Sequence, residues 1–185
     1  MKKSESQIKL IPLEDNDRDQ FIKDNQYAFL YGATQEFGMR DDHFEEDGEI
    51  ISRKTIEQSL DRKNSQPYRI VLDGKKVGGV VLNIDRENQR GELELLFVSP
   101  DVHSMGIGYA TWCKVEKMYR EIKVWETFTP YFEKRNIHFY VNRCGFHIVE
   151  FYNSYHKDNN EKADGDDNNV DDFDGMFRFE KVMDR

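Results

Sequence analysis

Hydrophobic residues follow two different spacings along the chain, and these spacings predict its strands and helices. Short apolar or alternating runs indicate strands at residues 8–13, 68–73, 76–85, 92–98, 124–129, 146–155 and 173–182. Helices are indicated at residues 17–37, 52–63, 107–121 and 136–144. Gly38 stops the first helix, Ser52 caps the second, Gly145 ends the fourth, and Asp73-Gly74 turns a hairpin. The order β-α-α-β-β-β-α-β-α-β-β predicts an α/β (α+β) fold, with a strand meander that leads into one strand–helix–strand crossover.

Composition adds limits on the class of protein. The 185 residues correspond to one domain, 1–185, and the 13 Phe, 9 Tyr and 2 Trp supply apolar area for a core. The longest purely apolar runs are about four residues, so we expect no membrane span. The N-terminus lacks the apolar segment of a secretory signal. Cys113 and Cys144 form no CxxC pair, and we therefore expect a reduced, cytoplasmic protein.

The net charge of −9 is concentrated in one stretch, because residues 158–174 carry −7 of it. Residues 157–172 are predicted to form a long, mobile, acidic loop. An EF-hand beginning at Asp164 would need Gly and Glu where Asn169 and Gly175 stand, so a calcium loop is not expected. The histidines show no metal-ligand spacing, and we expect no metal. The acidic balance argues against a nucleic-acid partner and leaves room for a cationic small molecule or peptide.

The stretch most informative about chemistry is a strand, a short loop and a helix that begins at glycines. The strand ends at Ser99-Pro100, and Gly106-Ile107-Gly108 opens the helix. Glycines there let the backbone approach a ligand, and free N–H groups at a helix start attract phosphate. No Lys follows as in a P-loop, and Thr111 replaces the third glycine of a dinucleotide fingerprint. Glu126 could serve as the ribose-binding acid, so a nucleotide-binding oxidoreductase stays open at this point.

Two blocks of the sequence resemble the GNAT superfamily of N-acetyltransferases. That family has Val-x-Pro after a strand, then Gln/Arg-x-x-Gly-x-Gly/Ala, and a later helix–strand motif. The corresponding residues here are Val98-Ser99-Pro100, His103-Ser104-Met105-Gly106-Ile107-Gly108, and then Asn136, Phe139-Tyr140 and Gly145-Phe146. The resemblance extends from about residue 8 to residue 182. Two departures are His103 in place of Gln or Arg, and Tyr140 five residues before Gly145, where four is common.

The resemblance implies a mixed, mostly antiparallel sheet flanked by helices, with a β-α-β core that binds acetyl-CoA. It implies that backbone N–H groups around the helix start hold the coenzyme A pyrophosphate. These N–H groups are those of Met105, Gly106, Ile107, Gly108, Tyr109 and Ala110. His103, whose ring can donate to a phosphate, and Ser104 complete the predicted cofactor-binding residues of this loop. Phe97 and Val98 would pair with the pantetheine arm like an added strand, and Asn136 would contact that arm from the facing helix.

Amine acetylation needs a base, because a lysine-like amine is mostly protonated at pH 7. Glu92 and Glu94 fall on one strand face by the period of two, opposite Leu93 and Leu95. Glu92 matches the position where some members of the family carry their base. Whether Glu92, Glu94 or a water chain accepts the proton is left open.

The remaining chemical roles fall to an N–H donor and an acid. Val98 is placed to donate its N–H to the developing oxyanion, and Tyr140 is the candidate to protonate the leaving thiolate. We therefore predict an N-acetyltransferase that moves an acetyl group from acetyl-CoA to a primary amine by direct attack in a ternary complex. The alternative is a non-catalytic acyl-CoA-binding or regulatory module, which would gain if neither the glutamates nor Tyr140 face the thioester.

The sequence predicts only the charge of the acceptor, not its identity. A run of acids without Lys or Arg lies between the first two helices, at Asp41, Asp42, Glu45, Glu46, Asp47 and Glu49. In the family this segment borders the acceptor groove, so these acids favour a cationic acceptor. Polyamine, aminoglycoside, amino acid, protein N-terminus and lysine side chain all remain open. Family members are often dimers, and a homodimer is open as well.

Overall fold

The computed structural model describes residues 8–35, 44–103, 105–158 and 175–184. Several predictions fall outside these residues: the helix stop at Gly38, the acids Asp41 and Asp42, the cofactor residue Ser104, and most of the acidic loop at 157–172. Within the described parts of the chain, no helix has the length and apolar character needed to cross a bilayer.

The described residues form seven strands and four helices, and these follow in the predicted order. The strands are β1 (Ile8–Pro12), β2 (Ser65–Leu72), β3 (Lys75–Asp85), β4 (Arg90–Val98), β5 (Val124–Pro130), β6 (His147–Tyr152) and β7 (Met176–Val182). The helices are α1 (Arg18–Thr34), α2 (Arg53–Asp61), α3 (Ile107–Met118) and α4 (Lys134–His138), which continues as a π-helical turn over Phe139–Arg143.

The strands form one sheet in the order β1-β2-β3-β4-β5-β7-β6. Neighbouring strands are antiparallel except β4 and β5, which run parallel and are connected through α3. The predicted fold class, a mostly antiparallel sheet with a β-α-β crossover, is confirmed. Local signals also act as expected: Asp73 and Gly74 both have positive φ, and the Ser52 side chain accepts from the Thr55 N–H at the start of α2.

Helices cover both faces of the sheet, and each face has its own core. On one face α1 and α2 pack on the central strands through a cluster that includes Phe21, Ile56 and Phe97. On the other face α3 and the π turn pack through Trp112 and Trp125, whose ring centroids lie 5.2 Å apart. Both tryptophans are buried, as predicted from the sequence.

A β-bulge in β4 changes which residues share a face. Val81 of β3 pairs with Leu95, and the next residue of β3, Leu82, pairs with Leu93, so Glu94 is the extra residue. Leu93 therefore packs in the α3 core and Leu95 in the α1–α2 core. The prediction that Leu93 and Leu95 lie on one face is wrong, because the strict period of two ends at the bulge.

Candidate active site

The strands β4 and β5 separate after a short paired segment. Their pairing is limited to Arg90, Gly91 and Glu92 of β4 with residues 124–126 of β5, although β4 continues to Val98 and β5 to Pro130. Residues 93–98 and 127–130 therefore border an opening in the middle of the sheet. This opening connects the two faces of the sheet, and it lies directly beside the start of α3.

A cavity of about 670 Å³ passes through this opening. Its wall on the α1–α2 face comes from α1, the segment before α2 and the first turn of α2, including Ala28, Phe29, Ile51 and Thr55. Its other wall comes from the start of α3, the end of β5 and the helix α4 with its π turn. The predicted site residues that line it are Glu94, Phe97, Val98, His103, Gly106, Ile107, Gly108, Tyr109, Asn136 and Tyr140.

The start of α3 presents unpaired backbone groups to the cavity. Gly106 caps the helix at φ 73°, a left-handed conformation that favours glycine, and its carbonyl accepts the first helical bond from the Ala110 N–H at 3.0 Å. The N–H groups at the three positions between them have no partner within an α-helix. Met105 is exposed beside this turn. Gly108 faces the π turn after α4, since a Cβ placed on it would lie 3.5 Å from the Phe139 ring.

The end of β4 directs the Val98 backbone into the opening. The Ser99 N–H donates to the Val77 carbonyl of β3 at 2.8 Å, and alternate residues of an antiparallel strand point their backbone groups in opposite directions. The Val98 N–H and C=O therefore face away from β3. The carbonyl is already occupied, because the His103 Nε2 lies 3.0 Å from it. The N–H remains directed toward the place predicted for the pantetheine arm.

The His103 side chain contacts both the end of β4 and α1. Its ring packs edge-on against the Tyr31 ring, with the centroids 5.9 Å apart, while its Nε2 bonds the Val98 carbonyl. In this position the ring orients the end of β4. The predicted contact between His103 and phosphate stays a prediction.

The π turn explains the unusual position of Tyr140. A π turn closes its hydrogen bonds over five residues, as in the 3.0 Å bond from the Cys144 N–H to the Phe139 carbonyl, so it takes up one extra residue. Tyr140 lines the cavity while its ring packs between Phe146 and Phe179. Burial raises the pKa of Tyr140 to about 12, against a smaller opposite effect of the neighbouring Thr127 hydroxyl, so the phenol holds its proton at neutral pH.

Of the two candidate bases, Glu94 is the one that lines the cavity. Its side chain is 5% exposed and pairs with Arg62, which also pairs with Glu92. Burial, and then the Glu92 charge, raise the pKa of Glu94 to about 7. Burial also raises the pKa of Glu92, whereas Arg62 acts in the opposite direction. A carboxylate that titrates near neutral pH is suited to act as a general base.

Two arginines of the cavity wall were not predicted from the sequence. Arg135 of α4 and Arg143 of the π turn both line the cavity, and the Arg143 guanidinium lies over the Tyr109 ring at 5.2 Å. Arg143 follows Asn136 and Tyr140 at helical spacing, and this spacing is the signal that could have found it. The glycine motif has His103 at its first position, where the family has Gln or Arg. Arg135 and Arg143 bring positive charge to the same end of the cavity.

The acids before α2 have structural partners. Glu45 lines the cavity, but its Oε2 accepts from the Ser52 N–H at 3.0 Å and from the Thr55 hydroxyl at 2.8 Å. Asp47 accepts from the Arg53 N–H at 3.0 Å. These contacts fix the beginning of α2, so the acidic run does more than carry surface charge.

The sequence matches a known family over most of the site. Residues 28–146 match the family model of the acetyltransferase (GNAT) family. The chain belongs to this family. The GNAT match contains β4, the glycines of α3 and the helix of Asn136 and Tyr140, and it decides against the dinucleotide-binding alternative.

One sequence relative and several solved structures align with nearly the whole length of this GNAT protein. The uncharacterized protein YrkN of Bacillus subtilis (strain 168) is 42% identical over 183 residues, which cover 98% of this chain and 96% of YrkN. Spermidine N-acetyltransferase from Vibrio cholerae, solved with CoA and spermine, aligns with a TM-score of 0.65 at 14% identity over 96% of both chains. A GNAT family acetyltransferase from Elizabethkingia anophelis with acetyl-CoA bound aligns with a TM-score of 0.61 at 18% identity, over 96% of this chain and 99% of that chain.

Proposed function

We propose that this GNAT protein transfers an acetyl group from acetyl-CoA to a primary amine, by direct attack of the amine in a ternary complex. One observation carries the proposal: a single cavity crosses the opening between β4 and β5, with Glu94 on its α1–α2 side and Tyr140 on its α3 side. A base and an acid thus reach the same space from opposite faces of the sheet. A module that only binds acyl-CoA has no need for this pair.

The α3 side of the cavity fits coenzyme A. The unpaired N–H groups at residues 107–109 suit a pyrophosphate, and Arg135 and Arg143 add positive charge that suits phosphate groups. The Val98 N–H lies where a pantetheine arm would add as a strand beside β4. Asn136 stands opposite, with its amide 3.5 Å from the Thr129 hydroxyl. Solved GNAT proteins of this fold hold CoA or acetyl-CoA, and this agrees with the assignment.

Proton transfer begins at Glu94. The acceptor enters from the α1–α2 side as an ammonium ion, and Glu94 takes one proton from its nitrogen, so that an N–H bond breaks and a carboxyl O–H bond forms. Because its pKa is about 7, a large fraction of Glu94 is ionised at neutral pH and ready to accept. The neutral amine then attacks the thioester carbon.

Val98 and Tyr140 act on the charges that this attack creates. The Val98 N–H donates to the carbonyl oxygen as negative charge develops on it. When the carbon–sulfur bond breaks, the Tyr140 hydroxyl gives its proton to the sulfur. A pKa of about 12 keeps the phenol protonated until that moment. The nitrogen loses its excess proton to the resulting phenolate, so that the products are a neutral amide, free coenzyme A and the restored phenol.

The acceptor is cationic under this proposal. Glu45, Glu94 and Glu133 line the cavity, and their charges favour an ammonium group, while Ala28, Phe29 and Ile51 provide apolar contacts for a carbon chain. The solved spermidine N-acetyltransferase that shares the fold was captured with spermine, a polycation of this kind.

The test is a thiol-release assay with acetyl-CoA and a panel of amines: polyamines, aminoglycosides, amino acids, and peptides with a free N-terminus or a lysine. We expect release with cationic amines and a loss of roughly a hundredfold or more in turnover for Glu94→Gln, with acetyl-CoA affinity retained. Binding of acetyl-CoA without release for any amine would support the non-catalytic alternative. Full activity of Glu94→Gln together with loss in Glu92→Gln would move the base to Glu92.

A further inference from the structure

Arg62 connects the end of α2 to both carboxylates of β4. It directly follows the last residue of α2, and its Nη1 lies 3.0 Å from Glu92 Oε2 and 2.8 Å from Glu94 Oε1. One nitrogen therefore serves two carboxylates. Glu92 and Glu94 lie two residues apart on β4, so the period of two places both side chains on the α1–α2 face, within reach of Arg62.

The groups around Glu94 leave one negative charge without a permanent partner. Asn83 of β3 and Ser59 of α2 are its uncharged neighbours, Arg62 and Glu92 its charged ones, and Glu126 of β5 acts on Glu92. The Glu92 side chain is 20% exposed, so it is more hydrated than Glu94. A single guanidinium between two carboxylates gives a net charge of −1 at the wall of the cavity.

We propose that Arg62 is a positioning residue for acetyl transfer, which holds the Glu94 carboxylate at the cavity. Its attraction for Glu94, opposed by the repulsion from Glu92, sets how readily Glu94 takes the acceptor's proton. The inference rests on the proposed role of Glu94 as base. An incoming ammonium ion brings the charge of the cluster to zero. After the proton moves to Glu94, Arg62 keeps Glu92 as its partner, so the charge is balanced before and after the transfer.

This arrangement predicts opposite effects for the two neighbours of Glu94. Removing the Arg62 charge takes away the group that favours the ionised carboxylate, so Glu94 should hold its proton to higher pH. Removing the Glu92 charge takes away a repulsion and frees Arg62 for Glu94, so Glu94 should lose its proton at lower pH. A purely structural role for Arg62 would give no such pair of opposite changes.

The experiment is a pH titration of side-chain carboxyl carbons by ¹³C NMR on the full chain without ligands. Glu94 is identified by the signal missing in Glu94→Gln. We expect its midpoint to rise by about one pH unit in Arg62→Met, to fall in Glu92→Gln, and to stay near the wild-type value in Arg62→Lys. Arg90→Met is the matched control, since it removes an equal charge from an arginine that pairs with Glu126 and Glu180 instead.

The outcomes separate this inference from the proposed function. An unchanged Glu94 midpoint in folded Arg62→Met, or an equal rise in Arg90→Met, overturns the role of Arg62. Should Arg62→Met not fold, the fall in Glu92→Gln and the rescue by lysine decide the matter, and an unchanged midpoint in Glu92→Gln overturns it. Turnover by Glu94→Gln is measured in parallel with whichever panel amine releases thiol. Retained turnover there refutes Glu94 as base, whatever the titration shows.

Discussion

Replacing Glu94 with glutamine should change how the stability of the protein depends on pH. Glu94 is nearly inaccessible to water and lies beside a second carboxylate, so burial and then Glu92 raise its pKa to about 7 from an ordinary value of 4.5. Between these two values the folded protein holds a proton that the unfolded chain has released. Raising the pH through this window must therefore destabilise the fold.

The size of the effect follows from the two values. Each tenfold change in proton affinity corresponds to about 1.4 kcal/mol, so titration near 7 when folded and 4.5 when unfolded amounts to about 3 kcal/mol in full. Roughly 2.5 kcal/mol of this falls between pH 5 and pH 8. The stability that the folded protein gains by holding this proton on Glu94 is fully present below pH 4.5 and is lost as the pH rises through 7. Glutamine at position 94 keeps the shape without the titration, so the variant should lose less stability over the same range.

Urea denaturation at pH 5, 6, 7 and 8 measures this directly. We expect wild type and Glu94→Gln to diverge steadily, with the variant gaining roughly 2 kcal/mol relative to wild type at the upper end. Glu87→Gln is the matched control, because Glu87 is an exposed carboxylate outside the cluster and its removal should leave the wild-type slope. Parallel curves for wild type and Glu94→Gln would show that Glu94 is hydrated in solution, and the reasoning from burial would fail.

Three more outcomes test the proposed site. Tyr140→Phe keeps the buried ring, so melting should hardly change while turnover in steady-state kinetics falls roughly tenfold to a few hundredfold; intact turnover would make Tyr140 a core aromatic. Gly108→Val places a branched side chain 3.5 Å from the Phe139 ring at the cofactor turn, and calorimetry should show lost acetyl-CoA binding in a folded variant. Arg143→Gln should weaken coenzyme A binding by roughly tenfold, whereas exposed Lys134→Gln should not; equal losses would point to net charge alone.

Local signals explain why so much of the fold could be predicted. The turn at Asp73-Gly74, the cap at Ser52 and the helix end at Gly145 each depend on neighbouring residues only, and each acts as expected. The bulge at Glu94 could not be predicted in this way, because it depends on how β4 pairs with β3 across the turn that connects the two strands. Nothing in the local sequence of β4 indicates the residue at which its alternation with a period of two is interrupted.

The same distinction divides the candidate site. The glycines of α3 and Tyr140 stand in contiguous motifs, so the sequence alone points to them, and the π turn then accommodates the unusual spacing of Tyr140. Arg62 is 30 residues from Glu92 and 32 from Glu94, and nothing around it in the sequence suggests a role. Its part in the site comes from tertiary packing of α2 on the sheet. Charged partners of a buried carboxylate are therefore what a motif search misses first.

The bulge and the separation of β4 from β5 work together at one place. The period of two already places Glu92 and Glu94 on the α1–α2 face, where Arg62 pairs with both. The extra residue changes the strand after Glu94: Leu95 packs in the α1–α2 core, whereas a regular β4 would keep it on the α3 face with Leu93. The bulge also changes which residues bond to β3, so that Ser99 bonds to Val77 and Val98 directs its N–H into the opening. A β4 that paired with β3 without the bulge would turn the Val98 N–H toward β3, even if every side chain of the motif were kept.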